Sequence, residues 1–231
     1  MRNLIYVLLL TGLLSACDTK QNWIDTGVCS PYHDCSIMEY LRNDSANWYL
    51  TVKLIERASL EDLFEGNRSG YENITFFAPT SYSVLRYVWD KASGRLEHPR
   101  DESMWRALTE DEKNYPDQLV EQLDKEWCRE MVLRHVVKGK YLKADVALRN
   151  REYPANDERQ DGCTDLVCES GNKIRVYRDK SDYGGVPEAG AELLLVYSFD
   201  AMQRVPMASP DIQPLNGVVH ALAYTYPLGK I

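Results

Sequence analysis

Long apolar runs are scarce in this chain of 231 residues, Phe is rare, and no block of basic residues stands out. The one sustained apolar stretch, Leu4 to Leu14, is shorter than the roughly 20 residues a membrane-spanning helix needs. The 27 Lys and Arg against 35 Asp and Glu leave a formal charge of −8, so a grip on phosphate backbones would need a local basic patch, and none is visible. No nucleic-acid partner is expected. The motifs G-x-S-x-G and H-E-x-x-H, the Walker loop and paired C-x-x-C are all missing, which removes the familiar routes to a nucleophile, a zinc site or a phosphate cradle. Asp157, Asp161 and Gly162 imitate part of a calcium loop, but Arg159 occupies a ligand position and Cys168 falls where a bidentate Glu is required. No metal or cofactor is expected. Carboxylates abound, and a hydrolase working through a carboxylate pair is the third-ranked reading. What is present in quantity is Tyr, 15 against 4 Phe, rings with a polar tip that suit half-buried positions and contact faces. With 44% hydrophobic residues the chain can fill one principal core.

The apolar run ends in small Ser15 and Ala16, the pattern of an export signal. Leu14-Ser15-Ala16-Cys17 resembles the bacterial lipoprotein box, in which cleavage before the Cys leaves its thiol to carry lipid. That resemblance implies a signal peptide over 1–16, lipid attachment at Cys17 and a place in the bacterial cell envelope, at the outer membrane, with the acyl anchor as its membrane contact. Residues 17–35 are polar and without periodicity and read as a flexible tether, with the folded domain over 36–231. In an oxidising compartment Cys29 with Cys35, and Cys163 with Cys168, are the disulfide candidates. Cys128 sits in a helical pattern and reads as a core filler.

Ser36 to Glu39 and Ser59 to Asp62 have the capping-box form, each opening an apolar-periodic stretch. Ile74 to Ala78 reads as a buried strand halted by Pro79, with Thr80 capping a helix whose apolar face is Val84, Leu85, Val88 and Trp89. Leu119, Leu123, Trp127 and Met131 recur every four residues and predict one amphipathic helix ending near His135. Leu166 to Cys168 and Lys173 to Tyr177 flank a turn and predict a hairpin, Glu192 to Phe199 a strand, and Val218 to Tyr226 a strand opened by an Asn216-Gly217 turn. The fold class is α+β, helices first and a mainly antiparallel sheet later.

Three boxes in this order resemble the fasciclin-type adhesion domain. Ile74-Thr75-Phe76-Phe77-Ala78-Pro79-Thr80 is similar to the family's first homology box. Leu133-Arg134-His135-Val136-Val137-Lys138-Gly139-Lys140-Tyr141 is similar to its Tyr-His box, with Arg134 where the family has Tyr. Ser209-Pro210-Asp211-Ile212-Gln213 through Asn216-Gly217-Val218-Val219-His220 resembles its second homology box. The resemblance implies one fasciclin-like wedge, with stretches 93–117 and 147–191 longer than the family's usual connections. It also implies adhesion by binding and no catalysis. In animal members a Glu-Pro-Asp-Ile-Met segment is assigned to integrin contact; Pro210, Asp211 and Ile212 match it while Ser209 and Gln213 do not, so integrin binding is not implied.

His135, Asp211 and Ile212 are thus candidates for ligand contact, and Tyr153, Tyr177 and Tyr183 in the enlarged region join them. Each also has a plainer reading. His135 caps a helix or fills a polar niche in the core, Asp211 hydrogen-bonds a turn, and the Tyr rings pack with their hydroxyls at the rim. His220 alternates with Val218 and Leu222 and, if inward, must find a partner. The leading expectation is a lipid-anchored binding domain for a protein or cell-surface ligand. The alternative is a glycan-binding accessory lipoprotein of an outer-membrane polysaccharide uptake system, stacking sugar on exposed Tyr or on Trp23 and Trp105.

Overall fold

Ser36 starts the first regular element: its hydroxyl accepts from the Glu39 amide at 3.1 Å, and helix α1 (Ile37–Asn43) buries Ile37, Met38 and Leu41. Asp44 ends α1 and caps α2 (Ser45–Arg57), one residue serving both helices. The computed structural model describes residues 30–92 and 108–231, and Pro31–Ile231 form one compact unit. Short α3 (Glu61–Phe64) follows, then strand β1 (Ile74–Ala78) and α4 (Ser81–Ala92). Next come α5 (Glu110–Asn114), α6 (Pro116–Glu121) and α7 (Lys125–Leu133), then β2 (Val136–Lys138) and a short 3-10 turn at Lys143–Asp145. The last third supplies β3 (Thr164–Val167), β4 (Lys173–Lys180), β5 (Glu192–Ser198), β6 (Gln203–Ile212) and β7 (Gly217–Leu222).

The seven strands form one sheet in the order β2-β1-β7-β6-β5-β4-β3, antiparallel throughout except where β1 lies parallel to β7. The α+β class with a mainly antiparallel sheet is therefore as read from the sequence. The parallel pair, second and third in that order, brings the first and last strands together, Ile74 against Gly217 and Ala78 against Ala221. Both strands are buried along their whole length. Three of the four Phe, Phe64, Phe76 and Phe77, lie fully inside there, each burial stabilising by roughly 1.5–3 kcal/mol.

Several local expectations need correction. Ser59 does not cap a helix; it sits at φ 51° and Leu60 precedes α3 without a side-chain cap. Thr80 precedes α4, but its buried hydroxyl has no partner among the described residues. The long amphipathic helix is two, because the Asp124 carboxylate accepts from the Trp127 amide at 2.8 Å and starts α7 afresh. Residues 31–35, read as tether, belong to the fold. Gln213 donates its amide to Pro31 O and its carbonyl accepts from the His33 amide, and the Leu215 amide donates to Cys35 O. The turn expected at Asn216-Gly217 is present and opens β7, with the Gly217 amide donating to Pro214 O at 3.3 Å, and it does more than turn the chain. Asn216 is buried, its Oδ1 accepting from the Ile37 amide at 2.7 Å and its Nδ2 donating to Phe64 O at 2.9 Å, so one side chain clamps α1 and α3 to the sheet. Gly217 is there for close approach, since a Cβ would lie 2.0 Å from Ile74 O.

The stretch 147–191 is built rather than slack. Its hairpin is β3 and β4, joined as expected, with Val167 opposite Lys173. Along β4 and β5 side chains alternate between two layers. Ile174, Val176, Leu194 and Val196 join the main core, while Tyr177, Leu195 and Tyr197 pack with Ala155 in a second small cluster, with Cys163 and Phe199 at its rim. Residues 93–107 and 1–29, with Cys17, Cys29, Trp23 and Trp105 among them, lie outside the described residues.

Candidate functional site

The three boxes meet one another through specific hydrogen bonds. From the first, the Phe77 amide donates to His135 O at 2.9 Å. The Thr75 hydroxyl donates to Gly139 O at 2.8 Å and accepts from the Tyr141 amide at 3.0 Å, holding the turn that follows β2. From the third, His220 donates through Nε2 to Tyr141 O at 2.9 Å. Its other ring nitrogen accepts from the Asp211 amide at 3.1 Å, and the Asp211 carboxylate accepts from the Lys143 amide at 2.7 Å. The His220 ring lies on Phe77, centroids 5.5 Å apart and 23° from parallel.

That geometry fixes the roles of both buried histidines. A carbonyl only accepts, so His135 carries its proton on Nδ1 toward Met131 O at 2.6 Å, and Nε2 accepts from the Tyr226 hydroxyl at 2.9 Å. Tyr226 in turn accepts from the Lys230 amide. Burial drives the His135 pKa down to about 4 despite the hydrogen bond to Met131, and burial lowers His220 as well. Both rings are neutral at pH 7 with both nitrogens occupied. His135 is 0% exposed and cannot touch a macromolecular ligand as the fold stands, so the contact reading for it is replaced by a core role. Arg134 reaches outward instead. It donates to Ile231 O at 2.8 Å and pairs with Asp200 at 2.7 Å.

Asp211 is partly buried at φ 62°, in the irregular part of β6 where pairing with β7 shifts register between Ser209 and Ile212. Its carboxylate is spent on Lys143, which matches the turn-bonding account. Ile212 is half-buried against the core opposite Val219. Neither projects freely.

The tyrosines divide. Tyr177 is 0% exposed inside the second cluster, burial pushing its phenol up to about 12, and is withdrawn as a contact residue. Tyr153 is half-buried with the Arg159 guanidinium 4.4 Å above its ring, while Arg159 is held by Asp157 at 2.7 Å. Tyr183 is 74% exposed. It pairs with Val186, itself 57% exposed, by two backbone hydrogen bonds of 3.1 and 3.0 Å across Gly184 and Gly185. Both glycines have positive φ, the requirement of a tight two-residue hairpin turn. Below the tip, Asp182 accepts from Arg151 at 2.8 Å and from the Glu188 amide at 3.0 Å, and Gly190 donates to Ser181 O. A rigid stem therefore presents one aromatic and one β-branched side chain to solvent. Tyr-Gly-Gly-Val was the available signal for this tip, a Gly-Gly pair between strand formers.

The disulfide expectation fails for Cys163 and Cys168, which are free thiols at opposite ends of β3. Five extended steps separate their Cα atoms by about 16 Å, whereas a disulfide bridges no more than about 7 Å. Burial raises the Cys168 thiol to about 12 and Cys128 to about 11, so neither is a nucleophile at neutral pH. Cys35 is also free, and its proposed partner Cys29 lies outside the described residues. No group of three or more His, Cys, Asp or Glu suited to a metal occurs among the described residues, and no helix there is long and apolar enough to cross a membrane.

No protein-family model matches the chain, and no curated protein is similar to it. Among solved structures the chain is similar to a FAS1 domain pair from the insect cell adhesion molecule fasciclin I. The TM-score is 0.48 and the identity 13%, over 81% of this chain and 49% of that one. The chain thus spans about half the length of that solved chain.

Proposed function

We propose that the protein is a fasciclin-type binding domain, held at a bacterial envelope by lipid on Cys17, that acts by contact and not by catalysis. The observation that carries this reading is the hydrogen-bonded union of the three boxes, with Phe77, Thr75, His135, Tyr141, His220 and Asp211 in one network. Residues matched from sequence alone as one family's signature have a reason to be found together. Their buried, fully occupied polar groups serve as scaffold. The contact surface is then the Tyr183–Val186 tip, a rigid hairpin end carrying exposed apolar and aromatic area at little ordering cost.

Tyr183 suits a protein partner and a sugar ring alike, and a protein at the cell surface is the favoured ligand. Two experiments test the reading. Labelled palmitate should enter the wild-type chain in a bacterial host and not Cys17→Ser. A photo-crosslinking residue at position 183 should capture a protein from intact cells, whereas the same residue at Arg129, on α7, should not. Capture of polysaccharide at position 183 would favour the glycan-uptake alternative, and no capture at either position would remove the tip from the account.

A further inference from the structure

Ser181, where the stem of the tip begins, also lines an open groove of about 410 Å³ on the face of β4, β5 and β6 that carries the second cluster. Its floor is aliphatic. Leu195 lies opposite Pro206, and Leu193, two residues along the same face, lies opposite Asp179. Leu195 is 9% exposed and Leu193 42%, so the cluster around Tyr177 covers one end of this row and leaves Leu193 and Pro206 to solvent. The wall is cationic. The chain has 35 Asp and Glu against 27 Lys and Arg, so an arginine has carboxylates to choose from, and over 147–206 five of six take one. Arg149 and Arg151 share Asp179 at 2.9 and 3.5 Å, Arg159 meets Asp157, Arg175 meets Asp165, and Arg178 meets Glu192. Arg204 is the exception. It is exposed, it lines the groove, and it has no carboxylate partner among the described residues. Burial raises the Tyr177 phenol and the Arg204 charge works against that rise, which places the guanidinium close to the sheet face.

We propose that this groove takes an acidic segment of the protein partner, an aliphatic side chain seated on Leu193, Leu195 and Pro206 and an adjacent carboxylate paired with Arg204. The inference rests on the reading of the chain as a binding domain and gives the chemistry of what it binds. Charge selects an anion. Asp179 is the one carboxylate on the lining and is already shared by two arginines, so the groove presents Arg204 and Lys180 as a local positive patch on a chain whose formal charge is −8. A guanidinium is the side chain that grips a carboxylate through two parallel hydrogen bonds, and arginine is enriched at protein interfaces. The floor selects a peptide over a sugar. None of the lining residues is aromatic, so a sugar ring has no flat face to stack on, whereas Leu and Pro suit a Leu, Ile or Val side chain.

Random heptapeptides displayed on phage, selected against the full-length chain in detergent, are the probe. Wild-type selections should be enriched in Asp or Glu next to Leu, Ile or Val. Arg204→Gln should lose the acidic enrichment and keep the aliphatic one, and Leu193→Ser should do the reverse. Both side chains are exposed, so the melting temperature should stay within a few degrees of wild type. A selected peptide, titrated calorimetrically, should bind Arg204→Gln roughly tenfold or more weakly, as expected for a lost hydrogen bond to an ionised group. Tyr183→Ala separates the groove from the tip, because it should leave the paired acidic and aliphatic enrichment in place. Polygalacturonate, an acidic glycan, is the counter-probe: binding of it through Arg204 with no peptide selected would make the protein partner wrong. No paired enrichment with the wild type, or the same enrichment with Arg204→Gln, would overturn the groove.

Discussion

The half of the sheet built from β2, β1 and β7 and the half built from β5, β4 and β3 solve the same problem in different ways. Around β1 and β7 the interior is apolar on both sides, and the few polar groups inside, Asn216, His135 and His220, are neutral and individually satisfied. Around β4 the second cluster is small, and charge does much of the fastening. Arg175 runs into the cluster, pairs with Asp165 through Nε at 2.5 Å and donates to Ala155 O and Asp157 O. Arg149 meets Asp179 at 2.9 Å with both side chains about 15% exposed, and Arg178 meets Glu192 at 3.2 Å. The difference teaches where function can sit. A core held by dispersion and buried hydrogen bonds has no side chain to spare, whereas a polar, hairpin-stemmed periphery can carry an exposed tip without disturbing it.

The largest effect that separates the halves is expected at Asn216. Asn216→Ala leaves the Ile37 amide and Phe64 O buried without partners and should cost about 3 kcal/mol or more in urea unfolding. Acid should act next, and through the same half. The His135 ring stays neutral down to about pH 4, while an unfolded His titrates near 6.5. Between those values the unfolded chain takes up a proton that the folded chain refuses, so stability is complete above the unfolded pKa. It falls by up to about 3 kcal/mol as pH drops to 4. His135→Gln should flatten the melting-temperature profile between pH 6.5 and 4, and an unchanged slope would mean that carboxylates elsewhere govern acid sensitivity. In the polar half, Arg175→Ala should cost about 2 kcal/mol, because Asp165 is more than half exposed and rehydrates when its partner goes. Hydrogen exchange should accelerate around 155–165 and 173–180 while β1 and β7 keep their protection. Tyr183→Ala should move stability by no more than about 0.5 kcal/mol, since its ring is largely in water.

The strands were legible because period-two patterning and turn residues are local. Glu192 to Phe199 and the β3–β4 hairpin stand almost where alternation puts them. The parallel pairing of β1 with β7 has no local signature, and the family boxes brought the two segments into one core without saying how they pair. The turn at Asn216 that opens β7 was legible from Asn-Gly, but not the second role of its side chain, because only the approach of α1 and α3 makes it a clamp. Helix breaks such as that at Asp124 were missed because an apolar period of four runs across two helices on one face as readily as along one. At the candidate site, Tyr183 was visible as an aromatic in an enlarged region, but Tyr177 carried the same signal and is buried. Strand register decides between them.

The claim that contact is made by the tip, while the box residues serve as scaffold, is tested most directly by attachment of cells displaying the full chain to the surface they colonise. The wild type is compared with the double variant Tyr183→Ala, Val186→Ser, with the melting temperature of each protein measured alongside. Attachment should fall to the level of cells lacking the protein while the melting temperature stays within a few degrees of wild type. Undiminished attachment by the double variant would contradict the account.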